Sequence, residues 1–105
     1  MPDLFKQLYQ GQPSTSPAVV YTVPVGKHAE IRSISVVNAS VSNAVNLVVY
    51  INGTTAAYQW ARITLDSHQF ATWDGIEHLE DGATIALEAS SDTAMSVTIS
   101  GVEVG

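Results

Sequence analysis

The side chains able to do acid, base or ligand chemistry are few in this 105-residue chain: His28, His68 and His78, ten carboxylates, and no cysteine. Thiol nucleophiles, disulfides and Cys-based zinc sites are therefore excluded. The histidines are widely separated, none at the close spacing of a local metal site, and each stands beside an expected turn or strand end. Neither a metal nor a cofactor is expected from them. Asp66, Asp74, Glu77, Glu80 and Asp81 supply hard oxygen ligands of the kind calcium takes, but not at the spacing of an EF-hand loop. The sequence has no G-x-S-x-G elbow, phosphate loop, H-E-x-x-H or G-x-G-x-x-G. Two carboxylates meeting in space could in principle hydrolyse a glycoside. A chain this short, spent on strands and tight turns, has no long loop to wall a substrate cleft. The expectation is a protein that is not an enzyme. Trp60, Trp73, Tyr50 and Tyr58 could stack on sugar rings, with Trp60 and Trp73 the candidates for aromatic contact. Packing in the core or at a subunit interface is the favoured reading of all four.

Length and charge set the frame for these residues. The chain fits one domain. Charged residues make up 13%, well under the roughly 25% of an average domain, so Ser, Thr, Asn and small apolar groups must cover much of the surface. The formal charge of -6 argues against nucleic acid as a partner, because neutralising phosphates needs clustered cations. No apolar run approaches the roughly eighteen residues of a membrane span, so a soluble protein without a membrane partner is expected. No charged segment followed by an apolar one marks a signal peptide at the N-terminus. Lys6, Lys27, Arg32 and Arg62 all lie before residue 63, whereas eight of the acids lie after it. That acidic half is expected to be a solvated face; docking on a basic partner or binding Ca²⁺ or Mg²⁺ is the alternative.

The elements that position these groups are strands. Val, Ile and Thr number 29, an enrichment that suits pleated strands. Alternation places Val45, Leu47, Val49 and Ile51 on one face of a strand that runs into Asn52-Gly53, the pair favoured by a type I′ hairpin turn. Similar runs carry Ile85, Leu87 and Ala89, then Met95, Val97 and Ile99, and are expected to form a hairpin through Ser90-Ser91-Asp92-Thr93. Further strands are expected near residues 18–23, 29–38, 56–65 and 68–73. Turns are marked by Pro24-Val25-Gly26, Asp74-Gly75 and Asp81-Gly82. Apolar parity changes between Ile31 and Ile34, as a β-bulge or a strand shared by both layers would cause, and again at Gly101, where the glycine is read as a bulge. The fold class expected is all-β: a single antiparallel β-sandwich, jelly-roll-like, of about seven or eight strands with an N-terminal arm. Asn38-Ala39-Ser40 and Asn52-Gly53-Thr54 have the form of glycosylation triplets but read as turns.

Residues 1–17 stand apart, with three of the four prolines and a Pro/Ser-rich linker before the sandwich domain of residues 18–105. Leu4, Phe5, Leu8 and Tyr9 are too apolar for a solvated tail. Either this segment is the first strand of the sandwich or it is an arm whose Leu4, Phe5, Leu8 and Tyr9 pack on a neighbouring subunit; the arm is the reading adopted.

Leu8-Tyr9-Gln10-Gly11-Gln12, Tyr21-Thr22-Val23-Pro24-Val25-Gly26-Lys27, Leu47-Val48-Val49-Tyr50-Ile51-Asn52-Gly53, Leu79-Glu80-Asp81-Gly82-Ala83-Thr84-Ile85 and Ser100-Gly101-Val102-Glu103-Val104 run through nearly the whole chain. In these segments the chain resembles small virion structural proteins of tailed bacteriophages. The resemblance implies a jelly-roll-like domain mounted on the particle, made in the host cytoplasm, and favours a capsid decoration protein. Such a protein would bind the major capsid protein or other virion proteins and stabilise the shell as a homo-oligomer, a trimer by particle geometry. A tail, baseplate or fibre component that mediates assembly or binds host glycan is the first alternative. A stand-alone carbohydrate-binding module is the second.

Overall fold

The computed structural model describes residues 4–40, 43–91 and 94–104. Within them lie eight strands: β1 (Leu4–Gly11), β2 (Ala18–Thr22), β3 (His28–Asn38), β4 (Val45–Ile51), β5 (Gln59–Leu65), β6 (Phe70–Leu79), β7 (Thr84–Ala89) and β8 (Met95–Val104). They form two antiparallel four-stranded sheets, ordered β1-β8-β3-β6 (sheet A) and β2-β7-β4-β5 (sheet B). The pairs β1·β8, β2·β7, β3·β6 and β4·β5 are nested like the rungs of one long hairpin rolled over on itself. That is the jelly-roll topology. The alternation read from the sequence drives the layering: Ile34, Leu47, Val49, Ile85, Leu87, Val97 and Ile99, all essentially inaccessible, fill the space between the sheets.

Sheet A is irregular at one level, where β8 runs on without an extra residue while its neighbours slip against it. Pairing slips between Gln7 and Tyr9 on β1, and between Ile31 and Ser33 on β3 against both of its neighbours. Arg32 is the extra residue of β3, which moves the core-facing set from Ala29 and Ile31 to Ile34 and Val36. A Cβ built on Gly101 at this level would lie 2.1 Å from the Glu30 carbonyl oxygen, so the glycine admits the bulged strand beside it.

Four expectations are corrected. Residues 4–11 are the edge strand of sheet A, paired with β8, and not an arm. Leu8 and Tyr9 pack against the chain's own core; the side chains of Leu4 and Phe5 lie outside the described part. β7 and β8 belong to opposite sheets and form no hairpin, because the segment between them crosses from one layer to the other. Asp74-Gly75 falls inside β6, at the bulge level, and makes no turn. Asn52-Gly53 is no type I′ turn. Asn52 alone has positive φ, 67°, and β4 reaches β5 through a loop with a 3-10 turn at Ala56–Tyr58. Gly53 serves a different need there, since the Tyr58 ring lies against it where a Cβ would stand, 2.2 Å from the nearest ring atom.

Candidate functional site

The two open sides of the sandwich are closed differently. On one, the Tyr21 hydroxyl of β2 donates a hydrogen bond to the Glu103 carboxylate of β8, tying sheet B to sheet A. Burial first, then this bond, pushes the Tyr21 phenol well above its ordinary pKa, so it remains a neutral donor. On the other side, Trp60 of β5 meets Trp73 of β6 edge to face, with ring centroids 6.3 Å apart and planes at 68°.

That aromatic pair borders a cleft of about 200 Å³. Buried Ile31 and Ile34 form its floor, and Arg32, Asp74 and Glu77 also line it. The cleft lies at the level of Arg32, where β3 and β6 break register with each other. Arg32 is held by Glu30 at 2.8 Å. The cleft is smaller than the roughly 300–1,000 Å³ of sites that enclose a drug-sized ligand. Its chemistry suits one flat apolar face with polar edges, such as a sugar ring. The structure thus brings Trp60 and Trp73 together, and Trp73 also packs on the core while Trp60 is 37% exposed. Tyr50 is buried against Val48 and Ala86 on the outer face of sheet B, its hydroxyl donating to Glu88 at 2.6 Å. The exposed Tyr58 lies apart over Gly53.

A second surface lies on the outer face of sheet A, beyond the bulges. There Ser33 and Ser35 of β3 alternate with buried Ile34 and Val36, and Ser96, Thr98 and Ser100 of β8 alternate with buried Val97 and Ile99. Thr72 of β6 stands beside Ser35, their hydroxyls 3.4 Å apart. The face ends in Val37 and Phe70, register partners that are 38% and 77% exposed. Gln10, Ser35, Val37, Phe70 and Thr72 surround a shallow hollow of about 310 Å³ there.

In the acidic half Asp66, Asp74, Glu80 and Asp81 are exposed, as a solvated surface requires, and several of the acids also have partners. Asp81 accepts the Gly26 amide at 2.7 Å, Glu88 accepts from Tyr50, Glu103 accepts from Tyr21, and Glu80 lies against His28 and His78. Sequence reasoning missed the lining role of Arg32, Asp74 and Glu77, and the hydroxyl face. The one signal of both is the parity change at Ile31 to Ile34, which separates the two surfaces.

No family model matches the chain, and no curated protein matches it. Among solved structures it is similar to a chain from Bacillus endospore appendages, described as a family of disulfide-linked pili, with a TM-score of 0.57 over 97% of this chain and 87% of that one. Identity is 10%, so the likeness shows the β-sandwich fold alone. Among the described residues, no helix is long and apolar enough to cross a membrane.

Proposed function

We propose that the chain is a non-catalytic structural subunit of a tailed-phage virion, a decoration protein that docks on the capsid shell as an oligomer, with a trimer the expected form. The observation that carries this reading is the outer face of sheet A, which joins short, uncharged hydroxyl side chains to the exposed Phe70–Val37 pair. Short Ser and Thr side chains lose little rotamer entropy on being covered. Burying Phe70 contributes roughly 2 kcal/mol per subunit, and copies held in one oligomer act together. The resemblance of the quoted segments to small virion proteins suggests the setting, and the structural likeness to the appendage chain bears on the fold alone. Without cysteine, this chain has no disulfide with which to link copies.

Quantifying the chain in purified particles tests the proposal. Hundreds of copies support the shell, a few dozen move the protein to the tail, and none refutes the virion reading. On purified shells lacking the chain, Phe70→Ser combined with Val37→Ser is expected to abolish rebinding while leaving the melting temperature unchanged. A second reading, a glycan-binding tail component, is favoured by the Trp60–Trp73 cleft. It requires sugar binding that disappears in Trp60→Ala.

A further inference from the structure

His28 opens β3, and His78 lies one residue before the end of β6. They are 50 positions apart in sequence, yet the β3·β6 register, Ala29 opposite Leu79 and Glu30 opposite His78, sets them diagonally across neighbouring strands. Because Ala29 and Leu79 are buried beneath, both imidazoles stand on the outer face of sheet A, on the opposite side of the bulges from the hydroxyl face. Their ring centroids are 5.5 Å apart. Glu80 follows β6 directly and reaches both rings: Oε2 lies 3.3 Å from His28 Nδ1, and Oε1 lies 3.4 Å from His78 Nε2. One ligand atom from each of the three residues falls within 4.8 Å of the others.

We propose that His28, His78 and Glu80 form a surface site for a divalent transition-metal ion, Zn²⁺ by ligand type. Two neutral imidazoles and one carboxylate are a donor set that zinc takes with a fourth position open to water. In a tetrahedral site with bonds near 2.1 Å, ligand atoms lie about 3.4 Å apart; each imidazole already has a Glu80 oxygen at that spacing, through a different oxygen in each case, and one ligand atom from each residue lies within 4.8 Å of the others. Drawing the two imidazoles and one carboxylate oxygen in from within 4.8 Å falls to three side chains that are all exposed. The backbone is already fixed: β3 and β6 are paired, and the turn after Glu80 is tethered to the turn before His28 by Gly26 N–H to Asp81 at 2.7 Å and Gly82 N–H to the Val23 carbonyl at 3.2 Å. Imidazole ligation selects zinc, copper or nickel over Ca²⁺ and Mg²⁺, which prefer all-oxygen shells. Glu30 faces His78 across the strands but is engaged by Arg32. The ion would clamp the end of the sandwich that holds the turns after β2 and β6, and so stabilise the folded chain by mass action.

The test titrates the tag-free, metal-free full chain with zinc chloride near pH 7.5. Calorimetry is expected to give one zinc per chain, with the melting temperature rising in zinc and falling back with chelator. His28→Ala and His78→Ala are each expected to weaken binding by roughly tenfold or more. Their side chains are exposed, so the zinc-free melting temperature should stay near that of the wild type. Co²⁺ bound at the site should give the visible spectrum of a nitrogen-ligated, four-coordinate ion. Absence of zinc binding overturns the proposal, as does binding undiminished in the double histidine variant. Calcium binding as tight as zinc binding overturns it too, since that would mark an oxygen site.

Discussion

Replacing Asn38 by alanine removes three hydrogen bonds at once from a side chain that is 0% exposed. Its Nδ2 donates to the Leu65 carbonyl and to the Asn43 carbonyl, each at 2.9 Å, and its Oδ1 accepts from the Ser40 amide at 2.9 Å. Its backbone carbonyl also accepts from the His68 amide. Asn38 thereby pins the loop after β3 and the turn between β5 and β6. In the variant the Leu65 carbonyl is left buried without its partner, a loss of roughly 1–3 kcal/mol. The Asn43 and Ser40 groups lie nearer water and lose about 0.5–1 kcal/mol each. The expected total is about 2–5 kcal/mol, a large share of the roughly 5–15 kcal/mol that holds a domain folded. At about 4–8 °C per kcal/mol for a domain of this size, the melting temperature falls by roughly 10 °C or more. Urea unfolding followed by tryptophan fluorescence measures the loss. Asn38→Asp keeps the shape but turns an acceptor toward two carbonyls, so it should cost at least as much at neutral pH. A loss below about 1 kcal/mol for alanine, or an aspartate variant as stable as the wild type, refutes the reasoning.

Gly101→Ala forces a methyl group onto the Glu30 carbonyl and should destabilise by about 3 kcal/mol in urea unfolding; a change within about 0.5 kcal/mol contradicts the packing described. The Tyr50 phenol is pushed up chiefly by its bond to Glu88 and then by burial, and the Tyr21 phenol by burial and then Glu103. With folded values above the unfolded value near 10, both contribute stability that is complete below that pH and lost as pH rises through the folded values. Tyr50→Phe with Tyr21→Phe should therefore flatten the alkaline fall in stability, and an unchanged slope counts against it. Trp73→Ala should cost about 2–3 kcal/mol, since Trp73 is half-buried against the core, and Trp60→Ala less, because Trp60 is the more exposed; a larger loss for Trp60→Ala in thermal unfolding would deny that order.

Period-2 alternation at Val45 to Ile51 and at Met95 to Ile99 identified core faces directly, because each of these strands has one face against the opposite sheet. The parity break at Ile31 to Ile34 likewise marked a true bulge. Connections were harder to read, since turn residues signal a reversal without saying which sheet the chain enters next. Hence the segment after Ala89 suggested a hairpin where the chain crosses layers. Asn52-Gly53 misled for another reason: the glycine is required by an aromatic ring and not by a backbone angle. Of the surface groups, Trp60 and Trp73 stood out by type. His28 and His78 did not, because only the long-range register of β3 and β6 makes them neighbours.

Leu4 pairs with Glu103, so both ends of the described chain leave the same corner of sheet A. A pull between them would load the β1·β8 ladder one rung at a time, peeling an edge strand instead of shearing it. The jelly roll is thus mechanically soft along its own termini. Load applied through the faces of the sandwich would instead be shared by many ladder bonds at once, and groups attached at the two ends of the described chain would emerge side by side.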